Sequence, residues 1–140
     1  MQRPVHRRAP AERWRQLAAA SLGLTGLGHL ATELLAPATP ERTAMLGVMR
    51  GWQVSLPGIE RSVAELFFGF SVMMGVLLVG CAALMAAAPP SRSGRLVMVG
   101  LTLVATVVAW RYFFPVPGVL TSVAAFAALM SWRGEARALP

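Results

Sequence analysis

The stretch FFGFSVMMGVLLVGCAALMAAA, Phe67 to Ala88, carries no charged side chain and no polar face. A helix of a soluble protein normally keeps a polar stripe toward water, and this one has no residues with which to build it. At 1.5 Å per residue it extends over about 33 Å, enough to cross a hydrocarbon layer roughly 30 Å thick. Two further runs share the pattern. Leu17 to Leu30 has no Asp, Glu, Lys or Arg, and neither does Leu96 to Met130 apart from Arg111. Pro115 and Pro117 divide the longer run in two. With their flanks, the runs make four segments of about 18–25 residues, the length of a membrane span.

The sequence therefore predicts an all-α integral membrane four-helix bundle, with a short interfacial helix between spans one and two. The four-span domain covers residues 14–132, with spans near 14–35, 62–87, 96–114 and 119–132. A basic tail (1–13) precedes it and a short tail (133–140) comes after. The chain has 140 residues, is 56% hydrophobic, and has a mean hydropathy of +0.58. Four spans take up more than half of such a chain, leaving no room for a soluble domain of ordinary size. Between spans one and two, Thr39-Pro40-Glu41 supplies a capping hydroxyl, a proline for the first helical position and a first-turn carboxylate. Met45, Val48, Met49 and Trp52 come next at helical spacing, predicting a helix near 40–53 that Pro57-Gly58 breaks. It is too short to span and suits the outer interface. Ser91–Arg95 reads as a short basic inner loop, and Pro115-Val116-Pro117-Gly118 as a tight outer turn.

The formal charge of +7 comes from thirteen Arg, with no Lys and no Asp. If the four spans alternate, Arg3, Arg7, Arg8, Arg13, Arg15, Arg92, Arg95, Arg133 and Arg137 share one side, and only Arg42, Arg50, Arg61 and Arg111 face the other. This is the positive-inside pattern and predicts both termini in the cytoplasm of a cell whose inner (plasma) membrane holds the protein. The charge then needs no nucleic acid to explain it. Trp14 and Trp132 fall at the inner boundary and Trp52 and Trp110 at the outer one, where indole rings favour the headgroup level. The run from Leu17 to Ala36 is long for a cleavable signal, and Pro37 comes directly after its small-residue site, so the first span is expected to be retained. Cys81 is a lone cysteine in the middle of the second span. It can form neither an internal disulfide nor a CxxC pair, and reads as a small packing residue. Gly23, Gly26 and Gly28, then Gly69, Gly75 and Gly80, thin two helices for close packing, within the bundle rather than at a dimer face.

The chemistry-bearing residues are few. His29 and Glu33 stand at i and i+4 on one face of the first span, with Ser21, Thr25 and Thr32 extending that face as a polar stripe. Alternating topology brings Glu65, opening the second span, and Arg111, closing the third, to the same outer layer. His29, Glu33, Glu65 and Arg111 are thus the candidate polar site, with Arg61 and Tyr112 near them. Ionisable groups within spans are costly and mark function by default. Three readings are open. In the structural one, Glu33 or Glu65 pairs with Arg111 to fix helix order. In the second, the cluster binds a small ligand or lipid, or moves a proton. The third is a metal site of one His and two carboxylates, whose spacing is not distinctive. No cofactor is expected, because His6 lies in the tail and a bis-His haem is not available to His29.

Gly26-Leu-Gly-His29 in the first span, Glu65-Leu-Phe-Phe-Gly69-Phe-Ser71 opening the second, and the turn Phe114-Pro-Val-Pro117 resemble the small four-helix bacterial inner-membrane proteins of the DoxX-like neighbourhood. The resemblance covers most of the chain and implies an α-helical membrane bundle of unassigned activity, with no catalytic residue to carry over. Small multidrug exporters also have four spans and a functional glutamate in the first. Here the corresponding Glu33 sits at the outer end of its span, without that family's aromatic cluster. The expected role is a small multi-pass membrane binding or accessory module. The alternatives are a proton-coupled exporter working through Glu33 or a lipid-modifying enzyme, although no nucleophile–base or metal motif appears. Its expected partners are membrane lipids, and a membrane protein or a second copy of the chain.

Overall fold

The charge-free runs fold as long helices. The computed structural model describes residues 8–87, 91–113 and 115–136. In chain order the elements are α1 (Arg8–Leu35), α2 (Pro40–Gly51), β1 (Gln53–Leu56), β2 (Ile59–Ser62), α3 (Val63–Ala87), α4 (Arg92–Tyr112) and α5 (Pro115–Ala136). Three of the described helices are long and apolar enough to cross a membrane: Val63–Ala87, Arg92–Tyr112 and Pro115–Gly134. α1 is long enough but falls outside that set, because Arg13, Arg15, His29 and Glu33 dilute its apolar character.

Several boundaries differ from the sequence expectation, each for a local reason. α1 begins at Arg8 rather than near Trp14, so part of the expected tail is helical; the rest of that tail, residues 1–7, lies outside the described residues. The expected Ser91–Arg95 loop is instead the start of α4. The Ser91 side chain accepts a hydrogen bond from the Gly94 amide at 3.1 Å and caps the helix. The expected turn at Pro115–Gly118 is the first turn of α5, where prolines are tolerated because those amides have no intrahelical partner. The prolines expected to end span two, Pro89 and Pro90, and the final tail residues 137–140 lie outside the described residues.

α2 starts as expected, with Thr39 as its cap and Pro40 in the first turn. Beyond α2 the structure departs from expectation, because an antiparallel hairpin pairs Gln53 with Ser62 and Leu56 with Ile59. Pro57 and Gly58 form its two-residue turn, and Gly58 has φ +84°. Proline first and a positive-φ glycine second is the arrangement of a type II turn.

The described chain divides into two compact units. The first takes the chain up to Thr25 and from Leu78 onward. Its core joins Ala18, Ala19 and Leu22 of α1, Ala82 and Met85 of α3, and Ala124, Ala127 and Ala128 of α5, with Met98 and Val99 of α4 and Cys81 packed against them. α4 and α5 form a close pair. The Trp110 indole lies against Gly118 and donates to Ser122 Oγ at 3.0 Å, and Trp14 meets Phe126 edge-on at 5.7 Å between centroids. The second unit, Gly26–Leu77, holds the end of α1, α2, the hairpin and the first half of α3.

The distribution of side chains is the reverse of a soluble core. The buried positions are mostly Ala, Ser and Thr, whereas Leu84 is 72% exposed, Val97 69% and Val107 68%. Buried hydroxyls such as Thr25, Thr102 and Thr121 are satisfied by carbonyls of their own helices, Ser21, Met98 and Pro117 respectively.

Candidate functional site

The second unit holds three of the four sequence-predicted residues, His29, Glu33 and Glu65, and a close approach of α1 and α3 brings a fourth group, Ser71, to the first two. Gly75 makes that approach possible: a Cβ there would stand 2.6 Å from Leu30 Cγ and 3.3 Å from the Gly26 carbonyl oxygen. One turn before Gly75, Ser71 therefore meets the polar face of α1. Its hydroxyl donates to Glu33 Oε1 at 2.7 Å and lies 2.9 Å from His29 Nε2. Ser71 is buried at 8% exposure, and its partners His29 and Glu33 are half-buried. A serine hydroxyl has one proton. With that proton given to the Glu33 carboxylate, His29 must be the donor toward Ser71, with its proton on Nε2.

The other carboxylate oxygen of Glu33, Oε2, lies 3.5 Å from the Arg42 guanidinium, which also donates to the Ala36 carbonyl at 3.1 Å. Arg42 thus satisfies open carbonyls at the C-terminus of α1, where a cation also suits the helix dipole. Sequence reasoning expected Arg111 to be the cation of the site. The ion pair of Glu33 is instead with Arg42, because α2 folds back beside the end of the helix before it. Arg111 belongs to the first unit, where its guanidinium stacks on the Tyr112 ring at 5.2 Å.

Glu65 has a local role. Its carboxylate accepts from the Ser62 amide at 2.8 Å and from the Ser62 hydroxyl at 3.1 Å, while the Glu65 amide donates back to Ser62 Oγ at 3.2 Å. This reciprocal capping box starts α3. The Ser62-x-x-Glu65 spacing before an apolar run is the signal for it.

Beside Glu33 lies a cavity of about 550 Å³, within the range of small-molecule sites. α1 contributes Thr32 and Glu33, α2 contributes Arg42, Met45, Leu46 and Arg50, and α3 contributes Glu65, Phe67 and Phe68. Arg42, Leu46 and Arg50 fall on one face of α2 at helical spacing, and neither arginine belongs to the sequence-derived site. Among the described residues, no group of three or more His, Cys, Asp or Glu side chains is placed to hold a metal ion. No protein-family model, curated protein or solved structure matches the chain.

Proposed function

We propose that the protein is a multi-pass inner-membrane binding module. In this reading α1, α3, α4 and α5 form a four-helix bundle with both termini cytoplasmic, and the cavity of the second unit is the binding site at the outer leaflet. The observation that carries the binding role is the cavity itself. It sets two arginines and two glutamates beside Met45, Leu46, Phe67 and Phe68, a lining suited to a molecule with one polar and one apolar end. The reversed distribution of side chains supports the membrane setting, because a surface of large apolar residues is stable against lipid and costly against water. Small and hydroxyl-bearing positions inside suit helix packing in a bilayer. Kinship with the DoxX-like proteins is part of the same proposal and rests on the sequence motifs that end at His29 and Ser71.

The test is purification in mild detergent, then mass spectrometry of whatever remains bound. The expected result is a co-purified amphiphile retained by the wild type and lost in Met45→Trp, which fills the cavity from a half-exposed position. The same ligand content in both proteins would remove the cavity as the binding site.

A further inference from the structure

The charges of the cavity are unequally committed. Glu33 is engaged by Ser71 and Arg42, and Glu65 by the Ser62 capping box. Arg42 is held by Glu33 and by the end of α1. Among the described residues the ion pairs are Arg15–Glu12 and Arg42–Glu33, which leaves Arg50 as a cavity-lining cation without a carboxylate. Arg50 stands two turns beyond Arg42 in α2, about 12 Å along the axis, with Met45 and Leu46 between them. Phe67 and Phe68 face this row across the cavity and are each 48% exposed. A ligand whose anion sits at Arg50 thus meets an apolar wall within one helical turn, and that wall opens outward past two phenylalanines.

We infer that the cavity binds the headgroup of an anionic membrane lipid, with its phosphate on Arg50 and the upper part of its chains against Met45, Leu46, Phe67 and Phe68. This deepens the binding role proposed above and rests on it. Charge complementarity selects the anion, because the two acids are already hydrogen-bonded and Arg50 is the cation left to pair. A guanidinium matches phosphate oxygens with two parallel donors. The size of the cavity selects a headgroup with its adjoining chain segments, the remaining chain length lying in the bilayer beyond Phe67 and Phe68.

The full chain is placed in nanodiscs of phosphatidylcholine with a small fraction of phosphatidylglycerol, released in the gas phase, and its retained lipid is read by native mass spectrometry. Wild-type protein is expected to retain phosphatidylglycerol selectively. Arg50→Gln should lower that retention at least fivefold, and Arg50→Lys should recover a good part of it. Arg92→Gln, an exposed cation of the first unit, should leave it unchanged. Equal retention in Arg50→Gln and wild type overturns the proposal, as does an equal loss in Arg92→Gln, which would mark a general surface-charge effect. Inorganic phosphate that displaces the lipid at comparable concentration overturns the lipid assignment in favour of a soluble anion. Phosphatidylcholine retained as well as phosphatidylglycerol overturns the anion but leaves the binding module standing, whereas failure to enter nanodiscs removes the membrane reading and this inference together.

Discussion

Ser71 of α3 gives its hydroxyl proton to Glu33 of α1 over 2.7 Å, inside a unit where its exposure is 8%. Hydrogen bonds to a charged acceptor contribute about 1.5–3 kcal/mol when buried. Ser71→Ala should therefore destabilise the protein in detergent by a figure in that range, and Glu33→Gln by less, since an amide oxygen can still accept. The two substitutions together should cost less than their sum, because they share one interaction. Thermal unfolding of the three variants measures this, and additive losses would show that the bond contributes nothing. The tautomer gives an independent check. Nitrogen-15 spectra should place the His29 proton on Nε2 in the wild type, with that nitrogen's shift altered in Ser71→Ala.

The bridge depends on a glycine that contributes no polar atom. A Cβ at position 75 would press on Leu30 at 2.6 Å with the Gly26 backbone behind it, so Gly75→Ala should force α1 and α3 apart. Overpacking of this kind costs about 1–3 kcal/mol. Gly75→Ala should also produce the altered His29 nitrogen shift of Ser71→Ala with Ser71 still present. Gly80→Ala is the control, since a Cβ there meets nothing within 4 Å. If the two variants melt together, the close approach carries no energetic weight.

Two helices end on an arginine supplied by another helix. Arg42 of α2 serves the carbonyls at the end of α1, and Arg15 of α1 serves those of Met85 and Ala86 at the end of α3. Arg15 is 6% exposed and is held by both oxygens of Glu12, at 2.5 and 3.0 Å. Removing it takes the side-chain donor from the buried Met85 carbonyl, while Gln16 still reaches that of Ala86 at 3.5 Å, so Arg15→Ala should cost more than Arg13→Ala, whose side chain is exposed. The hydrogen bonds from Arg15, then those from Gln16, hold the Glu12 carboxyl below the usual carboxylate range. A depressed folded-state pKa means stability that is present above the unfolded value and lost as pH falls through the folded one. Acid titration of the melting temperature should thus lose a small increment below the ordinary carboxylate range in the wild type, and Glu12→Gln should lack that increment while keeping the rest of the curve.

The long helices are legible because each is written in a run of apolar residues that no turn interrupts, and Thr39-Pro40-Glu41 announces α2 by capping chemistry alone. The hairpin escapes a sequence reading because its strands are four residues each and Pro57-Gly58 reads equally well as a helix stop. The same dipeptide, flanked by Val54, Leu56 and Ile59, is also a turn signal. At the site, the i and i+4 spacing of His29 and Glu33 finds one wall. Ser71 enters only through a resemblance motif, since a lone serine in an apolar run carries no periodic signal. Arg42 and Arg50 read as surface charges of the outer side, and Arg15 as one of the inner side. Their roles at helix ends and in the cavity depend on how the chain folds back, which spacing along one helix cannot express.

The orientation of the chain is expected from the distribution of arginine, nine on one side of the proposed membrane and four on the other. Translocating an arginine-rich segment is disfavoured, so the nine should remain cytoplasmic. The structure adds weight to one of the four. Arg42 is committed to the end of α1 and to Glu33, so its place is set by folding, and substituting it tests structure rather than topology. Reporter fusions are the direct measurement. Fusions after Pro90 and after Pro140 should be active as cytoplasmic reporters, and one inserted at Gly51, at the exposed end of α2, should be active only outside. α1 is the helix whose crossing most needs the test, because its apolar character is diluted by His29 and Glu33. If α1 does not cross while α3, α4 and α5 do, the Gly51 and Pro140 fusions will report opposite sides with Gly51 inside. An external Pro140 reporter with Gly51 inside would therefore overturn the four-span arrangement or its orientation, and a reporter at the N-terminus decides which: inside if α1 does not cross, outside if the whole arrangement is inverted.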